Sequence, residues 1–130
     1  MKRRIALVTL VVRNYEEAIG FYVDKLGFQL AQDRELEGGK RWVVVAPPGD
    51  AGAALLLAKA VDGRQAAAIG VQAGGRVALF LHTDDFDRDY RDFLAKGVRF
   101  SEQPRREAYG TVAVFEDLYG NRWDLLQPAV

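Results

Sequence analysis

Ile5-Ala6-Leu7-Val8-Thr9-Leu10-Val11-Val12, then Arg13-Asn14, then Tyr15-Glu16-Glu17-Ala18-Ile19-Gly20-Phe21-Tyr22-Val23-Asp24-Lys25-Leu26-Gly27-Phe28: the architecture turns on how these residues are read. The first run is short, apolar and rich in β-branched residues, which favours a buried strand. Asn14 offers a side-chain cap, and Glu17 follows three residues later as in a capping box. Tyr15, Ala18, Ile19, Tyr22, Val23 and Leu26 recur at helical spacing, and Gly27 supplies a C-terminal stop. Phe28–Leu30 begins a second strand. The stretch therefore predicts strand, helix, strand.

Working outward, Arg41–Ala46 reads as a third strand closed by Pro47-Pro48-Gly49, and Ala53–Ala58 as a fourth. The order then repeats. Arg76–His82 is a strand, and Asp84 or Asp85 caps a helix carrying Phe86, Tyr90, Phe93 and Leu94 up to Gly97. Val98–Ser101, Thr111–Phe115 and Arg122–Leu126 follow as strands, with Asp117–Asn121 as the turn before the last. One constant sequence offset sets Tyr15 on Phe86, Ile19 on Tyr90, Tyr22 on Phe93 and Leu7 on Ala78. The expected fold class is α+β: paired βαβββ modules, residues 1–60 and 76–130, forming an open, barrel-like sheet around a cavity. Residues 61–75, Ala/Gly-rich, form a connector with room for a short helix.

Composition removes several classes of chemistry. The 130 residues contain 18 Lys+Arg and 18 Asp+Glu, so no net field draws the chain to nucleic acid or an anionic membrane. Zero cysteines exclude disulfides and thiolate sites, and the single histidine, His82, excludes any site with two imidazoles. Met1-Lys2-Arg3-Arg4 before an apolar run imitates a secretory leader, but no small-residue cleavage site follows Arg13. A strand, and a cytoplasmic location, are expected. No apolar stretch nears the roughly 20 residues of a spanning helix.

Val8–Val12 leading into Ala18-Ile19-Gly20-Phe21-Tyr22 and Leu26-Gly27-Phe28 resembles the opening signature of the vicinal oxygen chelate superfamily. That superfamily comprises glyoxalases, bleomycin-resistance proteins and extradiol dioxygenases. Phe115-Glu116-Asp117-Leu118-Tyr119-Gly120-Asn121-Arg122-Trp123-Asp124-Leu125 is similar to its closing pattern. The resemblance implies a homodimer. It also implies four places for metal ligands, usually His or Glu. They fall on Leu7, within Ala54–Leu57, on Ala78 (or Arg76), and on Asp124. Hydrocarbon side chains offer no lone pair, so no metal and no other cofactor is expected. The resemblance then points to a small-molecule-binding protein of the bleomycin-resistance kind. Its alternative is a lyase like lactoylglutathione lyase, or an extradiol dioxygenase, working through a metal at unusual positions or through acid–base groups.

Alternation along the strands turns Leu7, Arg76, Phe80, His82 and Asp124 to the cavity. Asp124 and His82 are the catalytic candidates, as acceptor or base and as proton shuttle; the plainer reading pairs Asp124 with Arg76 or Arg122. Arg41 and Arg76 are candidate carboxylate or phosphate clamps. Leu7 and Phe80 are expected to form apolar lining, with Gln72 and Tyr109 as further ligand contacts and Trp42 as a weaker one. Gly70–Gly75 lacks the Lys and the following helix of a phosphate loop.

Overall fold

The computed structural model describes residues 1–49 and 52–130. Its contacts divide the chain into two units, Met1–Ile69 and Gly70–Val130. The first contains β1 (Leu7–Val12), α1 (Tyr15–Ile19) continued by a π-helical segment (Gly20–Lys25), β2 (Gln29–Glu35), β3 (Arg41–Ala46), β4 (Ala54–Lys59) and α2 (Gly63–Ala68). Its sheet runs β1-β4-β3-β2, with β1 parallel to β4 and the other pairs antiparallel.

Asn14 holds extended backbone and accepts the Glu17 N–H at 3.0 Å, as the cap reading requires. After Ile19 the helix widens, because the Leu26 N–H reaches back five residues to the Phe21 carbonyl at 3.1 Å. The wider turn changes which residues face the sheet. Phe21 turns inward, while Ile19 and Val23, expected on the buried stripe, stay half-buried. Tyr22, Val12, Val43, Val45 and Leu57 are all fully buried. Gly27, at φ 73°, ends the helix in the left-handed region that glycine enters without steric cost.

The second unit contains β5 (Val77–His82), α3 (Phe86–Ala95), β6 (Arg99–Phe100), β7 (Arg105–Glu107), β8 (Gly110–Glu116) and β9 (Arg122–Pro128). Its sheet runs β5-β9-β8-β6, with β7 also on β8, and β5 is parallel to β9 as β1 is to β4. The expected duplication is therefore present in the hydrogen bonding. β7 was not foreseen: Arg105-Arg106-Glu107 has no apolar alternation and is held by pairing with Val112, Thr111 and Gly110. Asp85 is the cap of α3, accepting the Arg88 N–H at 3.1 Å. Aromatic rings fill this core: Phe93 meets Phe115 edge-on at 5.5 Å, and Phe115 stacks on Trp123 at 5.7 Å.

The turn before β9 is a buried polar lock. Asp117 Oδ1 accepts the Tyr119 and Asn121 N–H groups, each at 2.9 Å, and Asp117 Oδ2 accepts the Asn121 amide, also at 2.9 Å. Asn121 Oδ1 in turn accepts the Gln72 N–H at 3.3 Å. This closing motif thus ties the start of the second unit to its last strand. The whole is α+β, with open sheets of four and five strands.

Candidate functional site

In the second unit, Trp123 and Leu125 are buried on the helix side of β9, so Asp124 between them faces the other way. Its register partners are Phe80 on β5 and Val114 on β8. The register shifts between Val77 and Leu79, leaving Ala78 as the extra residue of a bulge. Beyond it Leu79 lies opposite Trp123, while Phe80 shares the open face with Asp124 and is 62% exposed.

Asp124 departs from its plainer reading. One carboxylate oxygen, Oδ1, is enclosed and has no hydrogen-bond partner among the described residues, and neither Arg76 nor Arg122 forms an ion pair with it. Arg122 instead reaches the Gly75 carbonyl at 3.4 Å, and Arg76 is exposed. Burial raises the Asp124 pKa above the ordinary aspartate value. The Glu102 charge adds to the rise, whereas Arg105 and Arg122 oppose it. Arg105 is itself held by Glu102 at 3.1 Å and Glu107 at 3.0 Å, which limits what it lends to Asp124. A carboxyl so placed accepts a hydrogen bond when ionised and donates one when protonated.

Of the other candidates of this unit, Tyr109 lies by Arg105, the cation that acts on Asp124, and the rest are spread out. His82 is exposed at the far end of β5, opposite Leu126. Gln72 engages the Asn121 lock through its backbone. Tyr109 is 53% exposed, and its carbonyl accepts the Ala129 N–H. Glu102 and Arg105, which shape the charge at Asp124, were missed because they precede β8 in a polar stretch with no periodic signal.

In the first unit, Leu10, Val12, Leu55 and Leu57 are buried on the helix side. The opposite face carries Leu7 against Ala54, Thr9 against Leu56 and Val11 against Ala58. That row is hydrocarbon apart from the Thr9 hydroxyl. Trp42 donates its indole N–H to Gln32 Oε1. Arg41 lies on the other, helix-facing side, where its guanidinium binds Asp33 at 2.6 Å and also Glu16. It sits over the Tyr15 ring at 5.2 Å, while its backbone N–H donates to the Tyr15 hydroxyl at 3.2 Å. Those hydrogen bonds, Asp33 first and Glu16 second, hold the Arg41 pKa above that of an ordinary arginine. Leu7 and Arg41, both expected at a ligand, thus occupy opposite faces of one sheet.

The positions at which the resemblance places metal ligands can be tested for fit. Leu7 and Ala54 pair across β1 and β4, Ala78 is the bulge residue, and Asp124 alone carries a donor. Among the described residues no three His, Asp or Glu side chains gather as a cation would require. This donor set does not fit a divalent metal.

A protein of Shewanella frigidimarina is 58% identical over 128 residues, spanning 98% of this chain and 95% of its own length. The crystal structure of UcmS2 superposes with a TM-score of 0.83 at 29% identity, covering 97% of this chain and 98% of that one. TnmS3, described as an antibiotic binding protein from Streptomyces sp. CB03234, gives a TM-score of 0.78 at 32% identity over 98% of each chain. A family model matches residues 4–125, and by it this chain belongs to the Glyoxalase/Bleomycin resistance protein/Dioxygenase superfamily.

Proposed function

We propose that the protein binds a small, largely apolar molecule on the helix-free faces of its sheets, and that it acts by sequestration, with no bond made or broken. The observation that carries this reading is the pairing of a widely exposed Phe80 with the half-buried Asp124 on one open face. Small-molecule sites combine apolar walls with a few placed polar groups, and here the lone carboxyl would select a ligand presenting a donor. Similarity to an antibiotic binding protein supports an antibiotic-like ligand class. The donor set at the family's ligand positions supports binding without a metal. The protein would work as a cytoplasmic homodimer.

The test is a thermal-shift screen against a panel of antibiotics, paired with elemental analysis of protein purified without chelator. A ligand at 100 times its dissociation constant adds about 2.7 kcal/mol to stability. Phe80→Ala should weaken that ligand roughly tenfold, since removing a buried aromatic contact typically costs 1–2 kcal/mol or more. One divalent ion per chain, lost on Asp124→Asn, would overturn the reading. A second reading, acid–base catalysis, is favoured only by the raised Asp124 carboxyl; it requires turnover that Asp124→Asn abolishes.

A further inference from the structure

At one end of the first unit's sheet the β3–β4 ladder stops at Val43 opposite Leu57. Arg41 and Trp42 run on without register partners on β4, and the strands part there. The gap holds a cavity of about 210 Å³ whose lining includes Tyr15, Leu36, Lys40, Trp42, Lys59 and Gln65. Its polar groups share one property. Tyr15 is 8% exposed, and its hydroxyl oxygen accepts the Arg41 N–H, yet its own proton has no acceptor among the described residues. Gln65 Oε1 accepts the Val61 N–H at 3.0 Å, which leaves its amide N–H groups to donate. Lys40 and Lys59 have no carboxylate partner among the described residues, whereas Arg41 beside them is tied to Asp33 and Glu16. Leu36 and the Trp42 ring supply apolar wall.

A cavity whose side-chain polar groups are donors, two of them cationic, is complementary to an anion. Its volume lies below the roughly 300–1,000 Å³ typical of drug-sized pockets, so the occupant is one ring or a short chain. We infer that this cavity is a binding site for a small organic carboxylate, held by the Tyr15 hydroxyl and the Lys40 and Lys59 ammonium groups against Leu36 and Trp42. Arg41 is the positioning residue: its guanidinium on the Tyr15 ring and its N–H on the hydroxyl fix the donor in advance. The site is independent of the Phe80–Asp124 face and does not rest on the reading proposed for it.

The probe is sodium benzoate, with neutral benzamide as its near-isostere, titrated into the full ¹⁵N-labelled chain. The Trp42 indole N–H signal reports the cavity, and that of Trp123, buried in the other unit, reports the fold. Benzoate should move the Trp42 signal saturably, with a dissociation constant on the order of a millimolar for so small a ligand. Benzamide should bind at least about fivefold more weakly, and Lys59→Met and Tyr15→Phe should each weaken benzoate by about the same factor. An unmoved Trp42 signal, equal binding of benzoate and benzamide, or a Lys59→Met variant with unchanged affinity would each overturn the proposal. Because Tyr15 also packs in the core, Lys59→Met on the exposed strand end decides the matter if Tyr15→Phe disturbs the Trp123 signal.

Discussion

Gly70 and Gly27 show how one backbone class has two different costs. Both have positive φ, 83° and 73°, which L side chains adopt only with strain. A Cβ at Gly27 would meet nothing within 4 Å, whereas one at Gly70 would lie 2.3 Å from the Tyr119 carbonyl oxygen. That carbonyl belongs to the turn locked by Asp117 and Asn121, so it has little freedom to move. Gly27→Ala should therefore cost about 1 kcal/mol, the left-handed strain alone. Gly70→Ala should cost about 3 kcal/mol or more, because the clash adds to the strain. Chemical denaturation of the two variants checks the order, and equal losses would mean the Gly70 segment is not held against the turn.

Asp124 yields a second residue-scale prediction. A carboxyl whose folded pKa lies above its unfolded value binds more protons when folded, so its contribution to stability falls as pH rises through the folded pKa. Asp124→Asn removes that loss. The variant should melt above the wild type at neutral pH, and the gap should close as pH drops below the ordinary aspartate range. Melting curves from pH 3 to 8 test this; a variant less stable at neutral pH would show that Asp124 gains from Arg105 and Arg122 more than burial costs it.

At the scale of elements, caps and hydrogen bonding decide where segments begin and end. Asp85 accepts the Arg88 N–H, and α3 starts where that bond places it. Asp85→Ala should destabilise the protein by about 1 kcal/mol, read as a lowered denaturation midpoint with unchanged slope. The strands of alternating or purely apolar sequence were readable in advance, Arg41–Ala46 to the residue. The π-helical segment was not, because one widened turn shifts Phe21 inward without altering any residue's propensity. β7 was hidden for a related reason: its stability lies in hydrogen bonds to β8, and its own side chains carry no pattern. The donor cavity at the end of β3 depends on where strand pairing stops, a property of two strands together.

For the whole molecule, the two outer strands of the first sheet invite different neighbours. β2 carries Asp33, Arg34 and Glu35, charges that discourage pairing with another chain. β1 is Leu-Val-Thr-Leu-Val-Val, with Leu7 37% and Val8 43% exposed and Ile5 before it 73% exposed. An uncharged apolar edge of this kind is ordinarily covered. Light scattering should accordingly give twice the 14.5 kDa of one chain, and Val8→Lys should return it to a single chain mass. A monomeric wild type would overturn this expectation.

The duplicated strand-and-helix order, the caps at Asn14 and the Asp84–Asp85 pair, and the hydrocarbon side chains at Leu7, Ala54 and Ala78 followed from the chain of residues alone. Each rests on local chemistry: periodic burial, a side-chain oxygen near free N–H groups, or the lack of a lone pair. The enclosed, partnerless oxygen of Asp124, the turning of Arg41 away from Leu7, and the gathering of Tyr15, Lys40 and Lys59 around one gap were settled by tertiary structure. Register, bulges and strand ends bring residues far apart in sequence within ångströms of each other, and no local pattern encodes those distances.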